Sequence, residues 1–514
     1  MDKVFDWLND AVFYEIYPQS YLDTNGDGIG DLEGIIQKLD YVKWLGCNAI
    51  WINPFYESPF GDAGYDVTDH CKVAPRYGTN EDFERLCKTA HEKGIRIIID
   101  LIPCHTSIEH RYFKESSKKE KNEYSDFFVW CDDPKSEYPH LNKREYERDD
   151  RYLCSFYAIQ PAINYGFYDV TEKWQMDMDS EVCKNNKKKL IKVMEFWFSK
   201  GCDGFRVDMA SCVIKSDPEK EGTKKFWQEI REFMDKNYPG KILISEWSRP
   251  LESIGAGFHM DMFLSGGSLF RGENPEKDYY NYFKKEGKGI LFRFSDEYAD
   301  AMKITEGKGY WSFVSGNHDQ QRIIKGRTPE EVKLIMAFIL TMPAPPIIYY
   351  GDEIGMKFID GIDKEGSQTS RGGSRTPMQW NHSDKNKGFS TSDSPYLPVD
   401  DSDDAPDVES EIGKEDSLLE YTRKIISIRH AHPALNANSH FEFVDRKMNY
   451  PLWFERSCKD ETVRVIINPS DKKYVIKEPF EIIKTLECRN TKLSGNTIEL
   501  EGLSVFIYTI KKTS

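Results

Sequence analysis

Ionisable side chains occur inside or directly after several apolar stretches of the chain. The stretch "GFRVDMA" (204–210) carries Arg206 and Asp208 on the face of a strand-like run opposite Phe205 and Val207. Similar positions hold Asp100 and His105 in "DLIPCH", Glu246 in "SEW", and His318 and Asp319 in "VSGNHD". Because removing such groups from water is costly, a cluster of them at one place favours a functional interpretation.

Three of these carboxylates, without a metal-type histidine cluster, indicate glycoside chemistry. In retaining glycosidases, two carboxyl groups about 5–5.5 Å apart act as nucleophile and as acid/base. A neighbouring cation lowers a carboxylate's pKa, so Arg206 favours an ionised Asp208 as the nucleophile. Trp247 offers Glu246 apolar surroundings that favour a protonated acid. The residues therefore predict a double displacement at a glycosidic bond.

A repeated helix–glycine–strand unit must position these groups. It appears in "YVKWLGCNAIWINP" (41–54), "AHEKGIRIIIDLIP" (90–103) and "FWFSKGCDGFRVDM" (196–209). Eight strands are predicted, beginning near Phe13, Ala49, Arg96, Gly204, Ile242, Met260, Trp311 and Ile347. This pattern predicts a (β/α)8 TIM barrel, an α/β fold whose reactive groups lie at the carboxyl ends of the strands. The alternative, a doubly wound open sheet, is less favoured because no GxGxxG follows a strand.

Two segments depart from the repeat and predict additional domains. Residues 103–168 are far longer than an ordinary βα loop, so we expect a small domain inserted after strand 3. The barrel would then comprise residues 1–102 and 169–435. From residue 436 to 514, short strands such as "TVRVIINPS" and "LSVFIYTI" predict an all-β C-terminal domain, which we expect to be a β-sandwich.

Composition limits the possible partners. The net charge of −16 argues against nucleic acid and anionic membrane surfaces as partners. Neither a signal-peptide core nor an apolar run of membrane-spanning length is found. The 11 cysteines form no CxxC pair, which is typical of a soluble protein in a reducing cytoplasm. No organic cofactor is expected, and the oligomeric state is left open.

The motifs, in their order along the chain, resemble those of the α-amylase family of glycoside hydrolases. "DLIPCH", "GFRVDMA", "SEW" and "FVSGNHD" match its four short blocks, and "QPAIN" (160–164) is similar to a fifth. The resemblance implies Asp208 as nucleophile, Glu246 as acid/base and Asp319 as a third carboxylate that binds and distorts the sugar. It further implies that Arg206 supports the nucleophile, that His105 and His318 hydrogen-bond the sugar, that Tyr65 stacks on it, and that Asp66 binds its hydroxyls.

A narrower branch is indicated by "SRTPMQW" (374–380) and "GFS" (388–390). These stretches resemble the oligo-1,6-glucosidase, α-glucosidase and trehalose synthase branch of the family. The resemblance implies that Arg375 pairs with Asp66 and closes a pocket around one terminal glucose. Such a pocket implies exo action on short oligosaccharides, and a small oligosaccharide is the expected substrate.

The stretch "DTNGDGIGD" (23–31) places oxygen donors at alternating positions. It fails as an EF-hand, because its twelfth position is Gly34 and not Glu. In the branch that the chain resembles, this loop binds a structural Ca²⁺ or Mg²⁺, which implies a ligand set of Asp23, Asn25, Asp27, Asp31 and the carbonyl of Ile29. The alternative is a turn held only by Asx hydrogen bonds.

Four residues depart from the family pattern. Cys104 replaces the asparagine that binds calcium in typical α-amylases, and Ala162 and Ile163 alter the fifth block. Met209 follows the nucleophile, so the linkage preference stays open. The sequence predicts a retaining exo-acting α-glucosidase. The alternatives are a transglucosylase or isomerase of the same branch and a non-catalytic sugar-binding relative.

Overall fold

The computed structural model describes residues 3–264, 282–287, 289, 291–305, 307–364 and 371–511. Its strands are β1 (Phe13–Ile16), β2 (Ala49–Ile52), β3 (Tyr56–Glu57), β4 (Asp69–Val73), β5 (Arg96–Leu101), β6 (Trp130–Cys131), β7 (Leu141–Asn142), β8 (Arg151–Leu153), β9 (Gly204–Val207), β10 (Ile242–Ser245), β11 (Met260–Met262), β12 (Tyr310–Ser312), β13 (Ile347–Tyr349), β14 (His440–Phe443), β15 (Leu452–Ser457), β16 (Thr462–Asn468), β17 (Tyr474–Lys477), β18 (Glu481–Ser494) and β19 (Thr497–Lys511).

The described α-helices all precede β14 in the chain. They span Lys3–Leu8, Leu32–Gln37, Leu39–Leu45, Asn80–Glu92, Arg111–Ser116, Glu181–Ser199, Glu221–Asn237, Pro250–Gly255, Phe292–Thr305, Pro329–Thr341, Val408–Glu411 and Leu418–Ala431. Of the helices in the described part of the chain, none has the length and apolar character needed to cross a membrane.

Eight parallel strands form the central barrel. The hydrogen-bonded order is β12-β11-β10-β9-β5-β2-β1-β13, and a parallel bridge between Val314 and Ile347 joins the two ends. The predicted TIM barrel is confirmed. Seven strands begin at the predicted residue, and the seventh in chain order begins at Tyr310, one residue before the predicted Trp311.

The barrel strands are apolar on both faces because each is covered on both sides. Phe13, Trp51 and Ile98 belong to a buried cluster contributed by side chains of several barrel strands. A larger buried cluster includes Phe205 and Trp197, which pack in the layer between strands and helices. Both layers are fully buried, so the strand ends are held in a fixed arrangement.

The long segment after β5 contains a small antiparallel sheet in the order β6-β8-β7 and the helix Arg111–Ser116. A bridge from His105 to Ala162 ties the last part of the segment to the residues that follow β5, and a bridge from Phe128 to Ile163 lies within the segment. The segment therefore lies beside the carboxyl ends of the barrel strands. Its exact limits as a domain stay a prediction.

The C-terminal part is all-β, as predicted, and the expected β-sandwich packing stays a prediction. Its strands form one six-stranded sheet, ordered β14-β15-β16-β19-β17, with β18 paired along the length of β19. Strand β19 is long and pairs with β16, β17 and β18. Arg456 joins this part to the barrel by donating to the carbonyl of Thr341, the last residue of a barrel helix.

Candidate active site

Arg206 lies at the centre of a buried charge cluster. Its guanidinium donates to Asp100 (2.6 Å), to Asp208 (3.0 Å) and to Glu246 (2.8 Å). Strand β9, which carries Arg206, pairs with β5 on one side and β10 on the other, and Asp100 is the register partner of Arg206. Neighbouring parallel strands thus bring these four side chains together at their carboxyl ends.

The protonation of this cluster differs from the sequence prediction. Burial raises the pKa of Asp208 well above its ordinary range; the charge of Glu246 adds to this rise, and Arg206 opposes it. The expected lowering of the Asp208 pKa is therefore wrong in direction, because burial and the charge of Glu246 outweigh the charge of Arg206. Carboxylates coupled in this way share their protons as a group.

The Glu246 side chain is fixed from two sides. One of its oxygens binds Arg206, and the other accepts a hydrogen bond from the backbone N–H of Met209 at 3.0 Å. Met209 has a φ of 46°, in the left-handed region that non-glycine residues rarely adopt. Trp247, predicted to give Glu246 apolar surroundings, directs its indole N–H to Glu252. Backbone geometry therefore contributes to holding the predicted acid/base.

Asp319 and His318 form a second ionic group. Asp319 contacts His318 at 3.2 Å, Arg371 at 2.7 Å and Arg375 at 2.8 Å. Burial raises the pKa of Asp319, but these three cations outweigh burial and hold it well below its ordinary range. Asp319 is therefore ionised throughout the neutral range.

His318 carries one positive charge of this group, in addition to those of Arg371 and Arg375. Its Nδ1 lies 3.0 Å from Glu15, a fully buried carboxylate on β1 that the sequence analysis did not identify. Burial lowers the pKa of His318, but Asp319 and Glu15 together raise it to about 9. A polar residue within the apolar stretch "FYEI" was the available signal for Glu15.

Tyr65 and His105 form the wall beside His318. The Tyr65 hydroxyl lies 2.7 Å from His318 Nε2, and the two rings are stacked with centroids 5.3 Å apart. His105 Nε2 lies 3.1 Å from the Tyr65 carbonyl. Burial lowers the pKa of His105 to about 3, so its imidazole is uncharged. Both residues lie where the sequence analysis expected them, around one small pocket.

The predicted pairing of Asp66 with Arg375 is wrong. Asp66 accepts hydrogen bonds from Ser58 and from the N–H groups of Gly61 and Asp62, so its carboxylate closes a turn. Arg375 binds Asp319 instead. The residue that reaches the pocket is Asp62, which pairs with Arg371 at 3.2 Å and accepts from Gln160 at 2.8 Å.

The pocket has a volume of about 110 Å³. It is lined by Asp62, Tyr65, His105, Phe156, Gln160, Asp208, Met209, Glu246, Asp319 and Arg371. Phe156 and Gln160 come from the inserted segment, so that segment forms one wall. The motif "QPAIN" indicated Gln160 in the sequence, whereas nothing in the sequence indicated Phe156 and Arg371 except their proximity to known motifs.

The loop Asp23–Asp31 is held by hydrogen bonds of the Asx type. The Asp23 carboxylate accepts hydrogen bonds from the backbone N–H groups of Asn25, Gly26 and Gly28. In the same way, the Asn25 side chain accepts from the N–H of Asp27, and the Asp27 side chain accepts from the N–H of Ile29. Asp31 accepts from Thr24 and caps the next helix through Gly34. Within the described ranges, no three or more His, Cys, Asp or Glu side chains are grouped to hold a metal. The expected Ca²⁺ or Mg²⁺ stays a prediction.

Comparison with known proteins agrees with this geometry. Residues 15–438 match the family model for the alpha amylase catalytic domain. The chain is 31% identical over 489 residues to a trehalose synthase/amylase of Mycolicibacterium smegmatis, covering 84% of this chain and 77% of the relative. It is 29% identical over 552 residues to an oligo-1,6-glucosidase of Parageobacillus thermoglucosidasius, covering 95% and 94%.

Among solved structures, an isomaltulose synthase mutant of Erwinia rhapontici in complex with D-glucose superposes with a TM-score of 0.83. Its sequence identity is 27%, and the match covers 98% of this chain and 99% of that one. The barrel, the carboxylate cluster around Arg206 and the match over residues 15–438 lead to one conclusion. The chain is a glycosidase-type enzyme of the α-amylase family.

Proposed function

We propose that this enzyme is a retaining α-glucosidase that removes glucose from the non-reducing end of short α-linked oligosaccharides. The proposal rests on the contacts of Asp208 and Glu246 with the same guanidinium, that of Arg206, at 3.0 and 2.8 Å. Carboxyl groups that share a guanidinium lie close together, which favours the separation of about 5–5.5 Å typical of retaining enzymes over the longer separation of inverting ones.

In the proposed reaction, the terminal sugar ring lies between Tyr65 and the carboxylates. Asp208 attacks the anomeric carbon, and Glu246 gives the cluster's proton to the leaving oxygen. Glu246 then takes a proton from water, and the hydroxide displaces Asp208 and releases glucose. Arg206 stabilises whichever carboxylate carries charge at each step.

The exo mode is supported by the closed end of the pocket. Arg371 bridges Asp319 and Asp62, and its contact with the Tyr157 hydroxyl at 3.2 Å connects these barrel residues to the inserted segment. This bridge closes the pocket beyond the ring bound next to the nucleophile. In the proposed exo mode, Arg371 leaves no room for a sugar unit beyond the non-reducing end.

A time course of products from maltose, isomaltose, maltotriose, sucrose and trehalose tests the proposal. Glucose released one unit at a time, and absent with Asp208→Asn, is the expected result and gives the linkage. The matched control is Asp217→Asn, whose carboxylate caps a neighbouring helix outside the pocket. Release of internal fragments would contradict exo action.

A second candidate is a transglucosylase or isomerase, in which a sugar hydroxyl takes the place of water. It is favoured by the similarity to proteins named trehalose synthase and isomaltulose synthase, at identities close to that of the oligo-1,6-glucosidase. Trehalose formed from maltose, or a rearranged disaccharide formed from sucrose, in place of free glucose would establish this candidate.

A further inference from the structure

A second cavity lies between the inserted segment and the helix Glu181–Ser199. Its volume is about 220 Å³, and none of its lining residues belongs to the active-site pocket. Five nitrogen-bearing side chains line it, those of His110, Arg111 and Lys189 together with His70 and Asn186. Much of the remaining wall is apolar and includes Ile102, Ile163 and Leu190.

Lys189 is a half-buried cation whose ammonium lies among aromatic rings. Its ammonium lies over three aromatic rings, 5.3 Å from the centroid of Tyr112, 5.1 Å from Tyr124 and 4.7 Å from Phe127. It forms no ion pair with any carboxylate in the part of the chain that the structure describes. Burial lowers the pKa of this ammonium, and the charge of Glu123 offsets this lowering only in part.

Arg111 adds a second cation at the rim. Its guanidinium lies 4.9 Å from the Tyr112 ring and donates to the Tyr112 hydroxyl at 3.2 Å. Among the described residues it has no carboxylate partner in an ion pair. Asp69 is the one acidic side chain among the lining residues, so the wall carries a net positive charge.

His110 provides a buried hydrogen-bond donor. It is 6% exposed, and its Nδ1 accepts the backbone N–H of Tyr112 at 3.1 Å, so its proton is on Nε2. This Nε2–H has no hydrogen-bond partner within the described ranges. Burial lowers the pKa of His110 to about 3, so the ring is a neutral donor. A ligand or water in the cavity can accept a hydrogen bond from this donor.

We propose that this cavity binds a small organic anion, with its oxyanion head group held by Lys189, Arg111 and His110. Charge-assisted hydrogen bonds to a phosphate or carboxylate would pair both cations and the free donor at once. The body of the ligand would pack on Ile102, Ile163 and Leu190. At about 30 Å³ of liquid per water, the cavity equals roughly seven waters, enough for a head group and a small ring.

Calorimetric titration of the full-length enzyme tests this site. The probes are inorganic phosphate, benzoate and glucose 6-phosphate, with glucose as the uncharged reference. We expect saturable binding of benzoate or glucose 6-phosphate, tighter than that of glucose. Loss of one charge-assisted hydrogen bond in Lys189→Gln or Arg111→Gln is expected to raise the Kd roughly tenfold or more.

Lys188→Gln is the matched control. Lys188 lies on the same helix, but its ammonium donates to Asn185 on the exposed side, so the Kd is expected to stay unchanged. Weaker binding of phosphate than of the organic anions would support the role of the apolar wall. The proposal would be overturned if no anion binds saturably, if glucose binds as tightly, if both substitutions leave the Kd unchanged, or if maltose displaces the anion competitively.

Discussion

Glu15 is expected to control the charge of His318, and Glu15→Gln tests this directly. His318 lies between Asp319 and Glu15, and its pKa of about 9 is well above the ordinary 6.5. The substitution removes the charge on one side and keeps an oxygen that can accept from Nδ1. The loss of a hydrogen bond to a charged group is worth about 1.5–3 kcal/mol, or roughly one to two pKa units. His318 should then titrate at about pH 7–8.

Glu15→Gln is also expected to change how the stability of the protein depends on pH. Because the pKa of His318 is raised on folding, its protonation stabilises the protein fully below about pH 6.5, and this stabilisation is lost as the pH rises to about 9. The difference of about 2.5 units corresponds to about 3 kcal/mol. The Tm of the wild type should therefore fall more steeply between these two pH values than the Tm of Glu15→Gln.

Two measurements check this prediction. NMR of the histidine ring protons, assigned with His318→Gln, gives the pKa of His318 in each protein. Calorimetry at about pH 6.5 and pH 9 gives the two Tm changes, and titrations common to both proteins cancel in the comparison. An unchanged His318 pKa in Glu15→Gln, together with parallel Tm changes, would refute the role of Glu15.

Three further predictions concern other parts of the molecule. Arg371→Met should raise the KM for maltose roughly tenfold, because Asp62 and Asp319 each lose a charge-assisted hydrogen bond. The control is Lys357→Met on the exposed surface, which should leave the KM unchanged. Burial raises the pKa of Glu353 to about 7, so its neutral form stabilises the fold below about pH 4.5. This stabilisation is lost as the pH rises to about 7. Calorimetry should therefore show that the Tm of Glu353→Gln rises relative to that of the wild type across this pH interval. The predicted ion site in the loop Asp23–Asp31 requires that millimolar Ca²⁺, added after chelation, raise the Tm of the wild type more than that of Asp27→Ala. An equal Tm increase in both proteins would mean that the Asx hydrogen bonds alone support the loop.

Much of the barrel could be predicted because its strands are short, apolar and preceded by Gly-ended helices. The convergence of Asp208, Glu246 and Asp319 followed from the same reasoning, since the carboxyl ends of parallel strands meet at one face. The pairing of the C-terminal strands could not be predicted, because alternation along a strand does not identify its neighbours. β19 is long enough to pair with three strands, which no local pattern indicates.

The errors within the site have local causes. Asp62 and Asp66 lie four residues apart in one turn, and the turn's own hydrogen bonds decide which carboxylate reaches the pocket. The pKa of Asp208 depends on its burial and on the charge of Glu246, which comes from another strand. Glu15 was missed because a single polar residue in an apolar strand does not indicate its partner.

The central claim is that Asp208 is the nucleophile of a double displacement with Glu246 as acid/base. Incubation of Glu246→Gln with α-glucosyl fluoride tests it most directly, because fluoride leaves without an acid while release of the sugar from the enzyme still needs a base. Mass spectrometry of the digested protein should then show one glucosyl unit on the peptide that contains Asp208, and none in the double variant with Asp208→Asn. A glucosyl unit on another residue, or an unmodified enzyme that still turns the fluoride over, would contradict the mechanism.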